Sequence, residues 1–272
     1  MERQRLDVLL TERGMASSRA QAQRLLRAGE VRVDGQLADK PGALVRADSH
    51  IELVRQAPFV SRGGEKLDAA LTAFGIDVNG LIAADVGACT GGFTDCLLQR
   101  GARLVYAIDV GYGQLDWRLR NDPRVVVLER TNARYLERLP GRVDLVCVDV
   151  SFISLALILP QALRWLSSES DHRAALPESV GSIVALIKPQ FEAGRREVRK
   201  GGVVRDPAVH RRVLCNVTAA ATRLGLGLHG LMVSPLRGPA GNIEFLAWWK
   251  IGGGLDPQEL IAAVCGQQET PE

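Results

Sequence analysis

The sequence predicts an α/β fold with a mostly parallel sheet, preceded by a small α+β domain. From residue 81 onward, short apolar runs alternate with segments of helical periodicity, which is typical of a doubly wound parallel sheet. A loop alone joins the last two predicted strands, so these two strands are expected to be antiparallel. The first 58 residues instead show two helical segments followed by alternating strand patterns.

The first domain is predicted to span residues 1–58. Three leucines at helical spacing indicate its first helix: Leu6, Leu9 and Leu10. A second helix begins at Ser18, where the sequence S-x-x-Q has the pattern of a capping box. The Asp34-Gly35 dipeptide that follows indicates a tight β-hairpin between two short strands.

Positive charge is concentrated on this helical pair, because the sequence from Thr11 to Arg32 contains five arginines and only two acidic residues. Clustered guanidinium groups suit RNA phosphates, and a solvated helix face is the alternative. The stretch RLDVLLTERGMASSRAQAQRLLRAGEVRVDGQLADKPG resembles the alpha-L RNA-binding module of a small-subunit ribosomal protein and of many pseudouridine synthases. This resemblance implies RNA binding by four arginines: Arg13, Arg19, Arg24 and Arg27.

Composition narrows the classes of protein to which the chain can belong. Apolar residues make up 46% and charged residues 24% of the sequence, which is typical of a globular protein. The charged start lacks the apolar run of a signal peptide, and no segment approaches the roughly 18 apolar residues of a membrane span. The five scattered cysteines indicate reduced thiols and no zinc site. We therefore expect a cytoplasmic protein with no metal site, no membrane contact and no obligate protein partner.

The second domain is expected to span residues 65–272, after a linker at 59–64. An amphipathic helix with Leu67, Ala70, Leu71 and Phe74 on one face opens it. Strands are predicted at 81–86, 103–109, 124–128, 143–149, 182–187, 229–234 and 243–249. The intervening helices include 92–100, 155–166 and 207–224.

The first of these strands ends in the glycine-rich loop DVGACTGGFT, residues 85–94. A phosphate-binding P-loop would need a lysine after its last glycine, where this chain has Phe93, and the G-x-G-x-x-G spacing of dinucleotide-binding folds is absent. The loop instead resembles the S-adenosylmethionine loop of methyltransferases. That resemblance implies cofactor contacts from Asp85, Gly87, Ala88, Gly91, Gly92, Phe93 and Thr94.

Asp109 ends the second strand of the domain, 24 positions after Asp85. This distance suits one strand-helix-strand unit, and an acid at such a strand end can accept both hydroxyls of a ribose. A simple loop or cap acid is the alternative reading. We expect Asp109 to bind the ribose of the cofactor.

Four further polar residues stand at helix or strand ends of the second domain. Asp149 and Lys188 each follow an apolar strand, Lys66 lies near the start of the opening helix, and Glu244 lies inside the last strand between apolar residues. An acid among apolar strand residues needs a partner if it is buried, and lysine is the natural one. Each residue taken singly is equally consistent with an ordinary strand or helix end.

Taken together, Lys66, Asp149, Lys188 and Glu244 resemble the K-D-K-E tetrad of RNA 2′-O-methyltransferases of the FtsJ type. The strings SRGGEKL, DVSFISL, LIKPQFE and GNIEFL, with the basic first domain, resemble the TlyA family, whose members carry the names ribosomal RNA cytidine 2′-O-methyltransferase and haemolysin. The resemblance implies a class I, Rossmann-like methyltransferase domain with S-adenosylmethionine as cofactor and ribosomal RNA or ribosomal subunits as partner. One departure is Cys89-Thr90, where many FtsJ-type proteins have alanine-proline.

The same resemblance implies a role for each member of the tetrad. Lys188 would accept the proton of the ribose hydroxyl, and Asp149 would orient both Lys188 and the methyl donor. Glu244 would position Lys66 or the ribose.

A basic loop follows Lys188, since residues 188–212 hold eight basic against three acidic side chains. Such a loop is well placed to hold an RNA backbone, and a merely solvated loop is the alternative. The residues expected to contact RNA here and at the start of the domain are Arg62, Arg195, Arg196, Arg199 and Lys200. Three other functions stay open at this point: a pseudouridine synthase, a noncatalytic RNA-binding protein and a haemolysin.

Overall fold

A computed structural model describes residues 3–27, 30–53, 58–166, 181–194, 197–198 and 201–266. The chain divides into two compact units, residues 1–57 and 58–272. Each unit is described by itself below.

The described residues of the first unit form two short helices and five short strands. Strand β1 (Arg3–Arg5) leads into helices α1 (Leu6–Glu12) and α2 (Arg19–Arg27), which are followed by strands β2 (Val31–Val33), β3 (Gln36–Leu37), β4 (Leu44–Arg46) and β5 (Ile51–Leu53). Strands β3, β2 and β5 form one antiparallel sheet, and β1 pairs with β4. The core contains the predicted leucines together with Leu26 and Val31. Asp34 and Gly35 both have positive φ, as a type I′ hairpin turn requires, which confirms the predicted hairpin.

The second unit alternates helices and strands as the sequence predicts. Its first half contains α3 (Arg62–Ala73), β6 (Ile82–Val86), α4 (Gly92–Gln99), β7 (Leu104–Ile108), α5 (Trp117–Arg120), β8 (Val125–Leu128) and β9 (Leu145–Val148). Its second half contains α6 (Leu159–Trp165), β10 (Ser182–Ile187), α7 (Pro189–Glu192), α8 (Pro207–Arg223), β11 (Leu226–Val233), β12 (Phe245–Ile251) and α9 (Pro257–Gly266). Two 3₁₀ helices lie at Ala133–Tyr135 and Leu155–Leu157.

The seven strands form a single sheet in the order β11-β12-β10-β9-β6-β7-β8. The pairs among β10, β9, β6, β7 and β8 are parallel. Strand β12 is inserted between β10 and β11 and runs antiparallel to both. This arrangement confirms the predicted fold class, including the antiparallel pairing of the last two strands.

Helices cover both faces of this sheet. One core packs α3 and α4 against side chains such as Ala83, Leu145 and Val184, and the other packs α6, α8 and α9 against their neighbours in the strands. Alternate residues of one strand therefore enter different cores. All residues of β9 and β10 are buried, which explains their nearly continuous apolar sequence.

Three elements differ from the prediction. Helix α3 begins at Arg62, inside the predicted linker, with Ser61 as its N-cap residue. The ring of Phe59 packs over Gly64 in the first turn, where a β-carbon would come within 2.3 Å of the ring. The predicted helix at 155–166 is divided into a 3₁₀ helix and α6, since Pro160 occupies the first turn of α6 and cannot continue a preceding helix. The sequence patterns did not predict helix α9.

Candidate active site

A cavity of about 810 Å³ opens at the carboxyl edge of the large sheet. Loops after β6, β9 and β10 contribute to it, together with the first turns of α3 and α4. All four residues of the predicted tetrad line this cavity: Lys66, Asp149, Lys188 and Glu244. Lys66 and Glu244, 178 positions apart in the chain, meet at this site because the antiparallel β12 begins at the edge where the parallel strands end.

The four charged side chains form two separate ion pairs. Lys188 Nζ lies 2.5 Å from Asp149 Oδ1, and Lys66 Nζ lies 2.5 Å from Glu244 Oε2. The Lys66–Glu244 pair is almost fully buried, with side-chain exposures of 9% and 1%. Gln190 Nε2 also donates to Glu244, at 3.4 Å. A buried pair of this kind leaves a strongly unfavourable charge if either partner is removed.

The glycine-rich loop is shaped by close contacts with its neighbours. Gly87, Cys89 and Gly91 all have positive φ. A β-carbon on Gly87 would lie 2.4 Å from the carbonyl oxygen of Asp149, and one on Gly92 would lie 2.2 Å from Ser61 Oγ. The glycines therefore allow the loop to approach the tetrad and the start of α3.

Asp85 is fully buried beneath this loop, where its Oδ2 accepts hydrogen bonds from the backbone N–H and the hydroxyl of Thr94. Its other carboxylate oxygen, Oδ1, is buried without a hydrogen-bond partner. Burial, together with the nearby charges of Asp149 and Asp109, raises the pKa of Asp85 to about 7 against the lowering effect of Thr94. Three carboxylates that repel one another form a site suited to a cationic ligand.

Asp109 holds the glycine-rich loop and its own loop together. Its carboxylate accepts hydrogen bonds from the backbone N–H of Cys89, at 2.8 Å, and of Gly111, at 2.6 Å. It lines a second, much smaller cavity of about 10 Å³, and Ala88 and Cys89 line both cavities. Each carboxylate oxygen retains a further lone pair, so this arrangement is compatible with the predicted binding of ribose hydroxyls.

The remaining predicted cofactor residues lie around the same loop. Gly92 and Phe93 line the large cavity, although the Phe93 side chain is also part of a hydrophobic core. Gly91 lies against the side chains of Leu115 and Leu119. Thr94 is buried, and its contact with Asp85 accounts for its position.

A turn at residues 151–154 forms part of the rim of the cavity. Ser151 Oγ accepts a hydrogen bond from Lys188 Nζ at 3.0 Å. Phe152 has a positive φ of 64°, and its side chain is 90% exposed, an unusual position for a large aromatic residue. Its ring lies 4.8 Å from that of Phe191. Strained backbone of this kind persists where surrounding contacts enforce it.

The arginines predicted to contact RNA differ in their surroundings. Arg13 donates to the carbonyls of Ser49 and Ala47, and Arg19 pairs with the buried Asp7, which also binds Arg5 and Gln23. Arg27 is exposed.

In the second unit, Arg62 is exposed at the cavity and donates to the carbonyl of Arg237 at 2.5 Å. Several of the predicted contacts lie outside the described residues: Arg195, Arg196, Arg199, Lys200 and the side chain of Arg24.

Several residues of the site were missed by the sequence analysis. Ser151, Phe152 and Gln190 touch the tetrad or line its cavity, and the strings DVSFISL and LIKPQFE that contain them were their only signal. On neighbouring loops, Tyr112 and Tyr135 are exposed, with the guanidinium carbons of Arg130 and Arg134 over their rings at 4.2 Å and 5.4 Å. Trp117 is 75% exposed.

Among the described helices, none has the length and apolar character to cross a membrane. Within the described part of the chain, no group of three or more His, Cys, Asp or Glu side chains is arranged to hold a metal ion.

Comparison with known proteins gives matches to both units. The family described as FtsJ-like methyltransferase matches residues 59–251, and the S4 domain matches residues 4–51. The 16S/23S rRNA (cytidine-2′-O)-methyltransferase TlyA of Mycobacterium tuberculosis is 50% identical over 250 residues, covering 90% of this chain and 89% of that protein. Hemolysin A of Brachyspira hyodysenteriae is 41% identical, covering 89% of this chain and 98% of the relative. A solved Streptococcus thermophilus structure has 41% identity and a TM-score of 0.70, covering 99% of this chain and 98% of that one.

Proposed function

This chain belongs to the FtsJ-like methyltransferase family, and from that premise we propose that it methylates the ribose 2′-hydroxyl of a cytidine in ribosomal RNA. The observation that carries the proposal is the pair of lysine–carboxylate contacts in the cavity. The M. tuberculosis relative that bears this activity in its name covers nearly the whole chain. The family match also favours this activity over the alternative of a pseudouridine synthase.

S-adenosylmethionine is the proposed cofactor, and the residues at the glycine-rich loop fit it. It carries a positive sulfonium and a positive ammonium group, which would offset the mutual repulsion of Asp85, Asp149 and Asp109. Asp109 would bind the ribose, and residues 87–94 would line the rest of the molecule. When bound, the cofactor supplies an electrophilic methyl group.

Lys188 is the proposed acceptor of the proton from the ribose hydroxyl. Its Nζ is held from two sides, by Asp149 at 2.5 Å and by Ser151 at 3.0 Å. This fixes the amine at the cavity wall, where a hydroxyl can be oriented for attack and its proton removed. Lys188 would accept this proton as a neutral amine, after its own proton has passed to solvent. Asp149 would orient that amine and stabilise the ammonium that forms.

The Lys66–Glu244 pair is proposed to position the ribose. Glu244 accepts from both Lys66 and Gln190, so its carboxylate is fixed and its orientation is defined. Lys66 lies in the first turns of α3, and Glu244 immediately precedes β12, which begins at Phe245, rather than lying inside the strand as predicted. The pair therefore links a residue from the beginning of the second unit's sequence to one near its end, and it does so at the wall of the cavity.

The RNA is proposed to enter over the exposed aromatic residues at the rim. Phe152 offers a ring for base stacking, and Arg62 lies beside the same cavity. The first unit, which we propose as an RNA-binding domain with a short linker after it, would add phosphate contacts through arginines such as Arg27. A cytoplasmic location would give the enzyme access to ribosomes and their subunits.

Transfer of labelled methyl from S-adenosylmethionine to ribosomal RNA and isolated subunits tests the proposal. We expect the label in an alkali-resistant 2′-O-methylcytidine, lost in the Lys188→Ala variant. Lys250→Ala is a suitable control, because Lys250 lies near the end of β12 and does not line the cavity. Full activity of Lys188→Ala would refute its role as proton acceptor. Absence of label on every ribosomal substrate, with cofactor binding intact, would refute the proposed substrate.

A further inference from the structure

Glu192 lies four residues after Lys188, at the end of α7, and has no role in the proposed reaction so far. Its carboxylate accepts two hydrogen bonds from the far side of the cavity rim. Ser154 Oγ donates to Oε2 at 2.6 Å, and the backbone N–H of Leu155 donates to Oε1 at 2.8 Å. Glu192 thus holds the start of the 3₁₀ helix Leu155–Leu157.

These two hydrogen bonds join the loop after β9 to the loop after β10. The loop after β9 begins at Asp149, whose backbone N–H is fixed to Val86 by the sheet at 2.8 Å. Its other end, at Ser154 and Leu155, is fixed by Glu192. Between these anchors lie Ser151 and Phe152, which contact Lys188 and Phe191.

The turn between the anchors is strained, because Phe152 has a left-handed backbone conformation. Such a conformation is unfavourable for a residue other than glycine, and it relaxes unless neighbouring contacts hold it. If the Glu192 anchor is removed, the contacts of Ser151 with Lys188 and of Phe152 with Phe191 are what remain to oppose this relaxation.

Burial of Glu192 also points to a specific task. Burial raises the pKa of this carboxyl, and its hydrogen bonds with Leu155 and Ser154 oppose that shift. Both of these partners are neutral groups. A half-buried carboxylate with neutral partners at these two hydrogen bonds contributes little to folding stability, so its two-point geometry is the feature to explain.

We propose that Glu192 is a positioning residue, which holds the Ser151–Phe152 turn in register with Lys188 so that the amine and the exposed ring face the incoming RNA. This inference rests on the proposed methyl transfer, but its structural part can be measured without any substrate.

The experiment compares Glu192→Ala with Glu192→Gln in the full chain. Glutamine keeps an acceptor for the N–H of Leu155 and can donate to Ser154 Oγ, so it should retain the turn. Asp144→Ala is the control, since Asp144 is a buried carboxylate that also accepts a backbone N–H, that of Ile82 at 2.9 Å, near the opposite end of the sheet.

Amide hydrogen exchange over residues 150–157 measures how firmly the turn is held. Steady-state kinetics of methyl transfer measure how much the turn contributes to the reaction. In Glu192→Ala we expect about tenfold faster exchange in this segment, the effect of losing buried hydrogen bonds. We also expect about a tenfold loss in kcat/KM for RNA, with S-adenosylmethionine binding within about twofold of the wild type. Glu192→Gln should restore both.

Three results would overturn the proposal: unchanged exchange in Glu192→Ala, equal changes in Asp144→Ala, or a glutamine variant as impaired as the alanine one. If the wild-type chain methylates no ribosomal substrate, the proposed function fails, and the exchange data still decide whether Glu192 holds the turn.

Discussion

The carbonyl oxygen of Asp149 occupies the space beside Gly87 so closely that a β-carbon on Gly87 would lie 2.4 Å from it. The glycine-rich loop and the catalytic loop are therefore fitted to each other. Any side chain at position 87 must displace Asp149, and with it the partner of Lys188.

Gly87→Ala should consequently damage catalysis more than folding. The positive φ of Gly87 adds about 1 kcal/mol of strain for alanine, and the displaced carbonyl moves Asp149 away from Lys188. We expect methyl transfer to fall at least about a hundredfold, since small displacements of reacting groups have effects of that size. Gly80→Ala is a control, because Gly80 also has positive φ but nothing within 4 Å of the added carbon. Equal activity losses in both variants would contradict this explanation.

Replacing Lys66 alone should destabilise the protein, because Glu244 would be left buried and unpaired. We expect Lys66→Met to cost about 3–5 kcal/mol in the free energy of unfolding. The double variant Lys66→Met, Glu244→Leu should recover most of this stability and remain inactive. Urea denaturation of the single and double variants measures both effects. A double variant no more stable than the single one would show that the pair is not coupled as described.

Asp85 should make stability depend on pH in an unusual direction. Its pKa is about 7 in the folded protein against the ordinary value of 3.8 for an aspartate, so the folded state binds the proton more tightly. The protonated Asp85 therefore makes its full contribution to the free energy of unfolding below pH 3.8. This contribution, on the order of 4 kcal/mol, is lost as the pH rises through about 7.

The Asp85→Asn variant isolates this effect, because asparagine can still accept from Thr94. We expect it to melt at a higher temperature than the wild type at pH 8 and at the same temperature at pH 5. S-adenosylmethionine should stabilise the wild type more than the variant at pH 8. Identical melting curves at both pH values would rule out a neutral Asp85 in the folded state.

Phe152 should lower the stability of the fold and strengthen the binding of RNA. Phe152→Gly removes about 1 kcal/mol of backbone strain and also removes the exposed ring. We expect this variant to be more stable than the wild type and to bind RNA roughly tenfold more weakly, because stacking on an aromatic ring contributes about 1–3 kcal/mol per base. Phe152→Ala should lose the same affinity without gaining stability. Unchanged RNA affinity in both variants, measured by filter binding, would remove Phe152 from the interface.

In the first unit, Arg19 and Arg27 should differ in their effects. Arg19 pairs with the buried Asp7, whose pKa the hydrogen bond from Arg5 holds well below its usual range, so Arg19→Ala should lower stability. Arg27 is exposed, and Arg27→Ala should weaken RNA binding and reduce its salt dependence by about one ion. Salt titration of RNA binding and thermal melting separate the two effects. Equal behaviour of both variants would contradict this assignment.

Local patterns in the sequence were sufficient to predict most of the fold. The alternation of apolar strands with helices gave every strand of the large sheet, and the short connection before β12 predicted its antiparallel pairing with β11. Pro160 divides residues 155–166 into two helices, and this too is a local effect. The sequence analysis predicted one helix there because it followed the helical periodicity of the segment and not the proline.

The site was less accessible to prediction, because its contacts join distant parts of the chain. Strand and helix ends offered four candidate residues, and the family resemblance grouped them as a tetrad in which Asp149 orients Lys188. The fold adds the geometry of both ion pairs and shows that Glu244 contacts Lys66. The positive φ of Phe152 has no local signal, since phenylalanine is rarely found in that conformation. The sequence shows how many arginines the first unit has, but it does not show which of them are engaged by groups of the same chain, as Arg13 and Arg19 are.

The insertion of β12 between β10 and β11 also constrains the order in which the protein can be completed during synthesis. Lys66, Asp149 and Lys188 all leave the ribosome before the hairpin that contains Glu244. Until residue 251 has emerged, β10 lacks its neighbour on one side and Lys66 lacks its buried partner. A growing chain can therefore bury most of the cofactor loop early, while the reactive arrangement of charges is assembled only with the last strand of the sheet.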